Sequence, residues 1–94
     1  HLAVSITIRV PTQLRSLTNN AGEVAVEGST VGEALKALDA EHPGFAARLF
    51  DDEGKLRRFV NVFVADEDVR FLDGLGTPVS DGQTISIVPT VAGG

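Results

Sequence analysis

The chain has 94 residues, 43% hydrophobic and 22% charged, and its 13 acidic against 8 basic residues give a formal net charge of −5 at pH 7. That balance fits one globular domain with a modest core and disfavours nucleic-acid binding, which needs a basic face; the densest basic group is Lys55, Arg57 and Arg58. Cysteine and methionine are both absent, which excludes a disulfide framework, a thiolate nucleophile and a cysteine metal site.

Val4, Ile6, Ile8 and Val10 alternate with Ser5, Thr7 and Arg9. Period two with β-branched residues predicts a strand with one buried face, and Pro11, lacking an N–H for a ladder, ends it. Residues 12–22, with Asn19, Asn20 and Gly22, read as a long turn. A short second strand over 23–27 follows, hairpinned to the first. Gly28-Ser29-Thr30 breaks that strand and starts a helix, with Thr30 as N-cap and Glu33 three residues on, a capping-box spacing. Val31, Ala34, Leu35 and Leu38 recur on one helical face, and His42-Pro43-Gly44 stops the helix. Residues 45–50 form a further turn or two of helix.

The third strand is expected over 59–64. Val60, Val62 and Val64 take the core side, because Asn61 on the alternate face is unpaired if buried; Phe59 and Phe63 then point outward. Asp66-Glu67-Asp68 reads as a turn, 69–72 as a short fourth strand, and Asp81-Gly82 as the turn before a last strand with Ile85 and Ile87 inward, Ser86 and Val88 outward. The expected architecture is α+β: a mixed sheet packed on one main helix, covering residues 1–88, with a flexible tail over 89–94.

Most candidate chemistry has a plainer explanation. Gly28-Ser29-Thr30-Val31-Gly32 has nucleophile-elbow spacing, but the only histidines are His1 and His42, and capping accounts for Thr30. Gly74-Leu75-Gly76 lacks the third glycine of a dinucleotide fingerprint, and Asp66-Glu67-Asp68 lacks the glycine of a calcium loop. No metal or bound cofactor is expected.

Two features remain. Phe59, Phe63 and Val88 are either covered by neighbours or form a contiguous patch for a partner. The segment Pro89-Thr90-Val91-Ala92-Gly93-Gly94 spans about 20 Å when extended. Without Cβ atoms a Gly-Gly end enters a slot too narrow for side chains. On residues alone, a frayed terminus and a carboxylate delivered into another protein's active site stand side by side.

The strand–strand–helix–strand–strand–strand order, the capped helix and the Gly93-Gly94 end resemble the ubiquitin-like β-grasp sulfur carriers of the ThiS/MoaD family. The stretch Arg58 to Val64 and then Asp66 to Phe71 is most similar to the actinobacterial carriers of cysteine biosynthesis. The resemblance implies that the chain is not an enzyme but a protein co-substrate. Its Gly94 carboxylate is adenylated by an E1-like adenylyltransferase/sulfurtransferase that uses ATP and Mg, and is then converted to a thiocarboxylate. It further implies Gly93, Ala92, Val91, Pro89, Phe59, Phe63 and Val88 as partner-binding residues. The implied partners are the E1-like enzyme, a sulfur-acceptor synthase (cysteine synthase-like or thiazole synthase-like) and a tail-cleaving metalloprotease. A ubiquitin-like modifier, joined through Gly94 to lysines of target proteins, is the rival reading of the same fold and end. No apolar run approaches bilayer length and the first residues carry no signal-peptide pattern, so no membrane partner and a cytoplasmic location are expected.

Overall fold

The computed structural model describes residues 4–58 and 60–89. Five strands, β1 (Ser5–Arg9), β2 (Glu23–Glu27), β3 (Val60–Val64), β4 (Glu67–Asp68) and β5 (Thr84–Pro89), form one mixed sheet in the order β2-β1-β5-β3-β4. The helices α1 (Val31–Glu41) and α2 (Phe45–Leu49) complete the regular structure, together with three short 3-10 segments. β1 pairs antiparallel with β2 and parallel with β5, and β5 pairs antiparallel with β3. A parallel pair needs a long crossover, which everything between β1 and β5 supplies.

The alternation read from β1 holds: Ile6, Ile8 and Val10 are buried. In β3 the valines face the core, as Asn61 required, and in β5 Ile85 and Ile87 do the same. Against this face α1 lays Val31, Ala34, Leu35 and Leu38, all fully buried, while Phe45 and Leu49 of α2 close one end.

The N-terminus of α1 is built from several donors and acceptors. Thr30 Oγ1 accepts from the Glu33 N–H (3.2 Å), as a capping residue should. The Glu33 carboxylate reaches back not to Thr30 but to Ser29, accepting from its N–H (2.9 Å) and its hydroxyl (2.8 Å). Residues 77–79 lace onto the same end: Val31 N donates to Thr77 O, and Val79 N to Ser29 O, both at 3.0 Å. At the other end Asp39 turns its Oδ1 to the N–H groups of Gly44 (3.2 Å) and Ala46 (2.9 Å), which caps α2.

Three expectations change. Residues 12–22 are not a plain turn: Thr12–Thr18 is a 3-10 helix that buries Leu14 and Thr18. The Thr18 hydroxyl is satisfied by the carbonyls of Arg15 (3.2 Å) and Ala21 (2.8 Å), so a polar residue can sit there. The fourth strand is not at 69–72 but at Glu67–Asp68, directly after Ala65 and Asp66, whose positive φ values (52° and 70°) mark a tight I′-like hairpin turn. Asp68 Oδ1 then accepts from the Arg70 N–H (2.8 Å), which turns Val69–Phe71 into a 3-10 segment and drops Val69 into the core. Finally, β5 runs through Pro89, paired with Val60, one residue past the boundary expected at 88; the last rung of a strand tolerates a residue without an N–H.

Candidate functional site

The C-terminal end of β5 is the root from which residues 90–94 depart. Gly94, Gly93, Ala92 and Val91, and with them Phe59, lie outside the described residues. Three of the expected partner-binding residues are described. Pro89 pairs with Val60 and Val88 with Asn61, while Phe63 stands opposite Ser86. Phe63 and Val88 are therefore diagonal neighbours on the outer face of the sheet, within reach of each other's side chains. Val88 is 43% exposed and Phe63 is half-buried, so the two form one apolar step at the tail's root.

Both neighbours of that step are polar and ordered by named contacts. Arg70 crosses from beyond β4 to the start of β3, donating from Nη1 to Asn61 Oδ1 (2.8 Å) and from Nη2 to the Arg57 carbonyl (2.7 Å). The Asn61 that it holds is the strand partner of Val88. On the other side of β5, Ser86 pairs with Arg9 and Arg9 with Glu23, giving the outer-face row Glu23–Arg9–Ser86–Phe63–Asp68.

Sequence reasoning missed Arg70 as a clamp and Phe71 as a surface residue. Phe71 is 86% exposed and Leu72 40%, because the turn at Asp68 ends the strand pattern that was expected to bury part of this stretch. The available signal was an Asp one residue before Val69-Arg70, which captures the N–H two positions on.

The other candidates are structural. Thr30 spends its hydroxyl on the helix cap, and the His42 N–H closes α1 on Leu38 O (2.8 Å). Among the described residues no group of three or more His, Asp or Glu side chains is placed to hold a metal ion, and no helix is long and apolar enough to cross a membrane. Two carboxyls are held below their ordinary range: Glu33 by the backbone N–H and then the hydroxyl of Ser29, and Asp51 first by the Lys55 N–H and also by the Glu53 N–H. Glu33 sits in the first turn of α1 and Asp51 heads the turn after α2; both are remote in sequence from β5 and serve local architecture.

Comparison with known proteins places this geometry. Residues 8–94 match the ThiS family. The sulfur carrier protein CysO of Mycobacterium tuberculosis is 44% identical over 93 residues, which cover 97% of this chain and all of the relative. Small archaeal modifier protein 3 of Haloferax volcanii is 43% identical over 68 residues, 72% of this chain and 73% of the relative. Among solved structures, the Amycolatopsis orientalis BexX/CysO complex contains a chain 47% identical to this one, superposing with a TM-score of 0.88 over 95% of this chain and 99% of the other. The five-stranded mixed sheet wrapped on α1, the match across residues 8–94 and the full-length similarity to CysO agree, and the chain belongs to the ThiS family of ubiquitin-like β-grasp proteins.

Proposed function

We propose that this chain is a sulfur carrier whose cargo is bound at the Gly94 carboxylate. The observation that carries the reading is the 44% identity to CysO along that protein's entire length, with a family match that runs through residue 94. An α-carboxyl titrates at about 3.5, so at neutral pH it is anionic and a poor electrophile. An E1-like partner using ATP and Mg transfers AMP to one carboxylate oxygen with loss of pyrophosphate. Sulfur from a donor then attacks the carbonyl carbon, AMP leaves, and a thiocarboxylate remains. The intermediate splits one hard exchange into two easier steps. The chain contributes a reachable end and a docking face; lacking cysteine, it offers no internal thiol to intercept the activated carbonyl.

An acceptor synthase then takes the sulfur, and a metalloprotease trims the tail where the product is left attached to it. Support for a protein partner comes from the related chain solved in complex with BexX. The similarity to small archaeal modifier protein 3 favours a second reading, in which Gly94 is joined to lysines of target proteins. Intact-mass analysis separates the two. Incubation with ATP, sulfide and the activating enzyme of the source organism should replace one oxygen by sulfur, and fragmentation should map the change to Gly94. Conjugates to lysine without any thiocarboxylate establish the second reading instead, and sulfur mapped to an internal segment refutes the first.

A further inference from the structure

The sheet order β2-β1-β5-β3-β4 gives β2 a single neighbour, β1, among the described strands. At the two ends of that pairing Val10 N donates to Gly22 O (2.8 Å) and Gly28 N to Val4 O (3.2 Å). Alternation between these two points turns the backbone groups of Val24 and Val26 to β1 and those of Glu23, Ala25 and Glu27 away from it. Among the described residues, no backbone group pairs with these outward N–H and C=O groups. Such an open row is a template for another strand. β4, at the opposite edge, has only two residues, whereas β2 has five.

The side chains along β2 sort by face. Glu23, Ala25 and Glu27 lie exposed on the outer face, while Val24 and Val26 turn inward. Beside Val26 an open groove of about 600 Å³ separates β2 from α1. Ala37 and Ala40 form its helix wall, and Glu27 and Glu41 are the charged residues that line it. The small side chains of that wall leave room for a side chain brought in from outside. Glu23 is held only loosely, by the Arg9 Nε at 3.5 Å, with the two side chains 61% and 66% exposed.

Charge decides which strand fits. When two copies pair antiparallel about Ala25, each Glu23 falls opposite the partner's Glu27, and like charges placed directly opposite are destabilising. We propose that β2 is a strand-addition site for a cationic extended segment of a partner protein. In antiparallel addition, Lys or Arg at two positions four apart face Glu23 and Glu27 on the outer face. The residues just inside those cations fall opposite Val24 and Val26 and are apolar, the one opposite Val26 entering the groove. Backbone pairing supplies affinity, and the alternation of charge and apolar side chain supplies selectivity. β1 lies between β2 and β5, so the site stands apart from the tail and does not depend on the sulfur-carrier reading.

The test is a titration of the full chain with a soluble peptide whose core is Lys-Val-Thr-Val-Lys, followed by amide NMR and hydrogen exchange. At about ten times its Kd the peptide should slow exchange of the Ala25 and Glu27 amides about tenfold and leave those of β3 unchanged. A Glu-Val-Thr-Val-Glu peptide should bind about tenfold more weakly or worse, and added salt should narrow that difference. Glu27→Lys should erase the preference for the cationic peptide. Ala25→Pro removes an outward N–H at a place where edge strands accept proline, and should weaken binding about tenfold. If that variant lowers the melting temperature, Glu23→Gln combined with Glu27→Gln carries the test. Equal binding of the two peptides, shifts confined to another face, or no shift in β2 up to about 1 mM peptide overturns the site. Dimerisation of the peptide-free chain that protects the same amides makes a second copy the occupant and overturns it as well.

Discussion

Arg70→Ala should loosen the root of the tail without unfolding the domain. The side chain makes two short charged hydrogen bonds, to Asn61 Oδ1 (2.8 Å) and to the Arg57 carbonyl (2.7 Å). Hydrogen bonds from charged groups are worth roughly 1.5–3 kcal/mol when water is excluded. This one is exposed, water replaces Arg70 at both acceptors, and the Arg57 carbonyl keeps its bond from Val60 N (3.0 Å). A net loss of about 1 kcal/mol is therefore expected, which for a domain of this size lowers the melting temperature by about 4–8 °C. The loss should also be local. Asn61 and Val60 pair with Val88 and Pro89, so amides at that end of the β3·β5 ladder should exchange about fivefold faster while those of the β1·β2 hairpin keep their protection. Thermal melting and native-state hydrogen exchange, read residue by residue, measure both effects. Unchanged melting with unchanged exchange in β3 and β5 refutes the clamp; a uniform rise across all strands refutes its local character.

Gly93→Val should keep the parent's melting temperature and abolish ATP-dependent thiocarboxylation, because a β-branched side chain is added where a narrow slot admits none; sulfuration at the parental rate counts against the slot. Phe71→Ser should change stability by less than about 0.5 kcal/mol by chemical denaturation, since the ring is 86% exposed; a larger loss means that it packs on something. Glu33 has a folded-state pKa below its unfolded value, so its contribution is present above the unfolded pKa and disappears as pH falls through the folded one. The melting temperature of Glu33→Gln should accordingly trail the parent's near neutrality and converge on it in acid, and a gap that is constant from pH 7 to about pH 3 is inconsistent with the bonds to Ser29.

Legibility in the sequence followed how local each cause was. The cap at Thr30, the apolar face of α1 and the choice of Val60, Val62 and Val64 over Phe63 and Asn61 each follow from a few neighbouring residues and one physical rule. Asn61 does meet a partner on the outer face, as its polarity demanded, but the partner comes from Arg70 beyond the next turn. The hairpin at Ala65-Asp66 hid because neither residue is the Asn or Gly that positive φ usually selects. A turn read at Asp66-Glu67-Asp68 instead of Ala65-Asp66 displaces the fourth strand to 69–72 and puts Phe71 in the wrong kind of element. The candidate site shows the same division: Val88 is readable as outward from alternation, and Phe63 from alternation together with the polarity of Asn61. The groove between β2 and α1 is not readable, since residues of a strand and a helix come together there only in the folded domain.

The strand order has a mechanical consequence. β5 is the sole bridge between the β2-β1 hairpin and the β3-β4 hairpin among the described strands, and it is also the strand from which the tail leaves. A pull on residues beyond Pro89 acts along β5 and stresses its hydrogen bonds to β1 and β3 side by side, in shear, instead of opening them one rung at a time. An enzyme can therefore grip and bend the tail without unravelling the domain behind it. An unfoldase that starts from the same end meets the whole ladder at once, and when β5 does yield, the sheet parts into two hairpins in a single step.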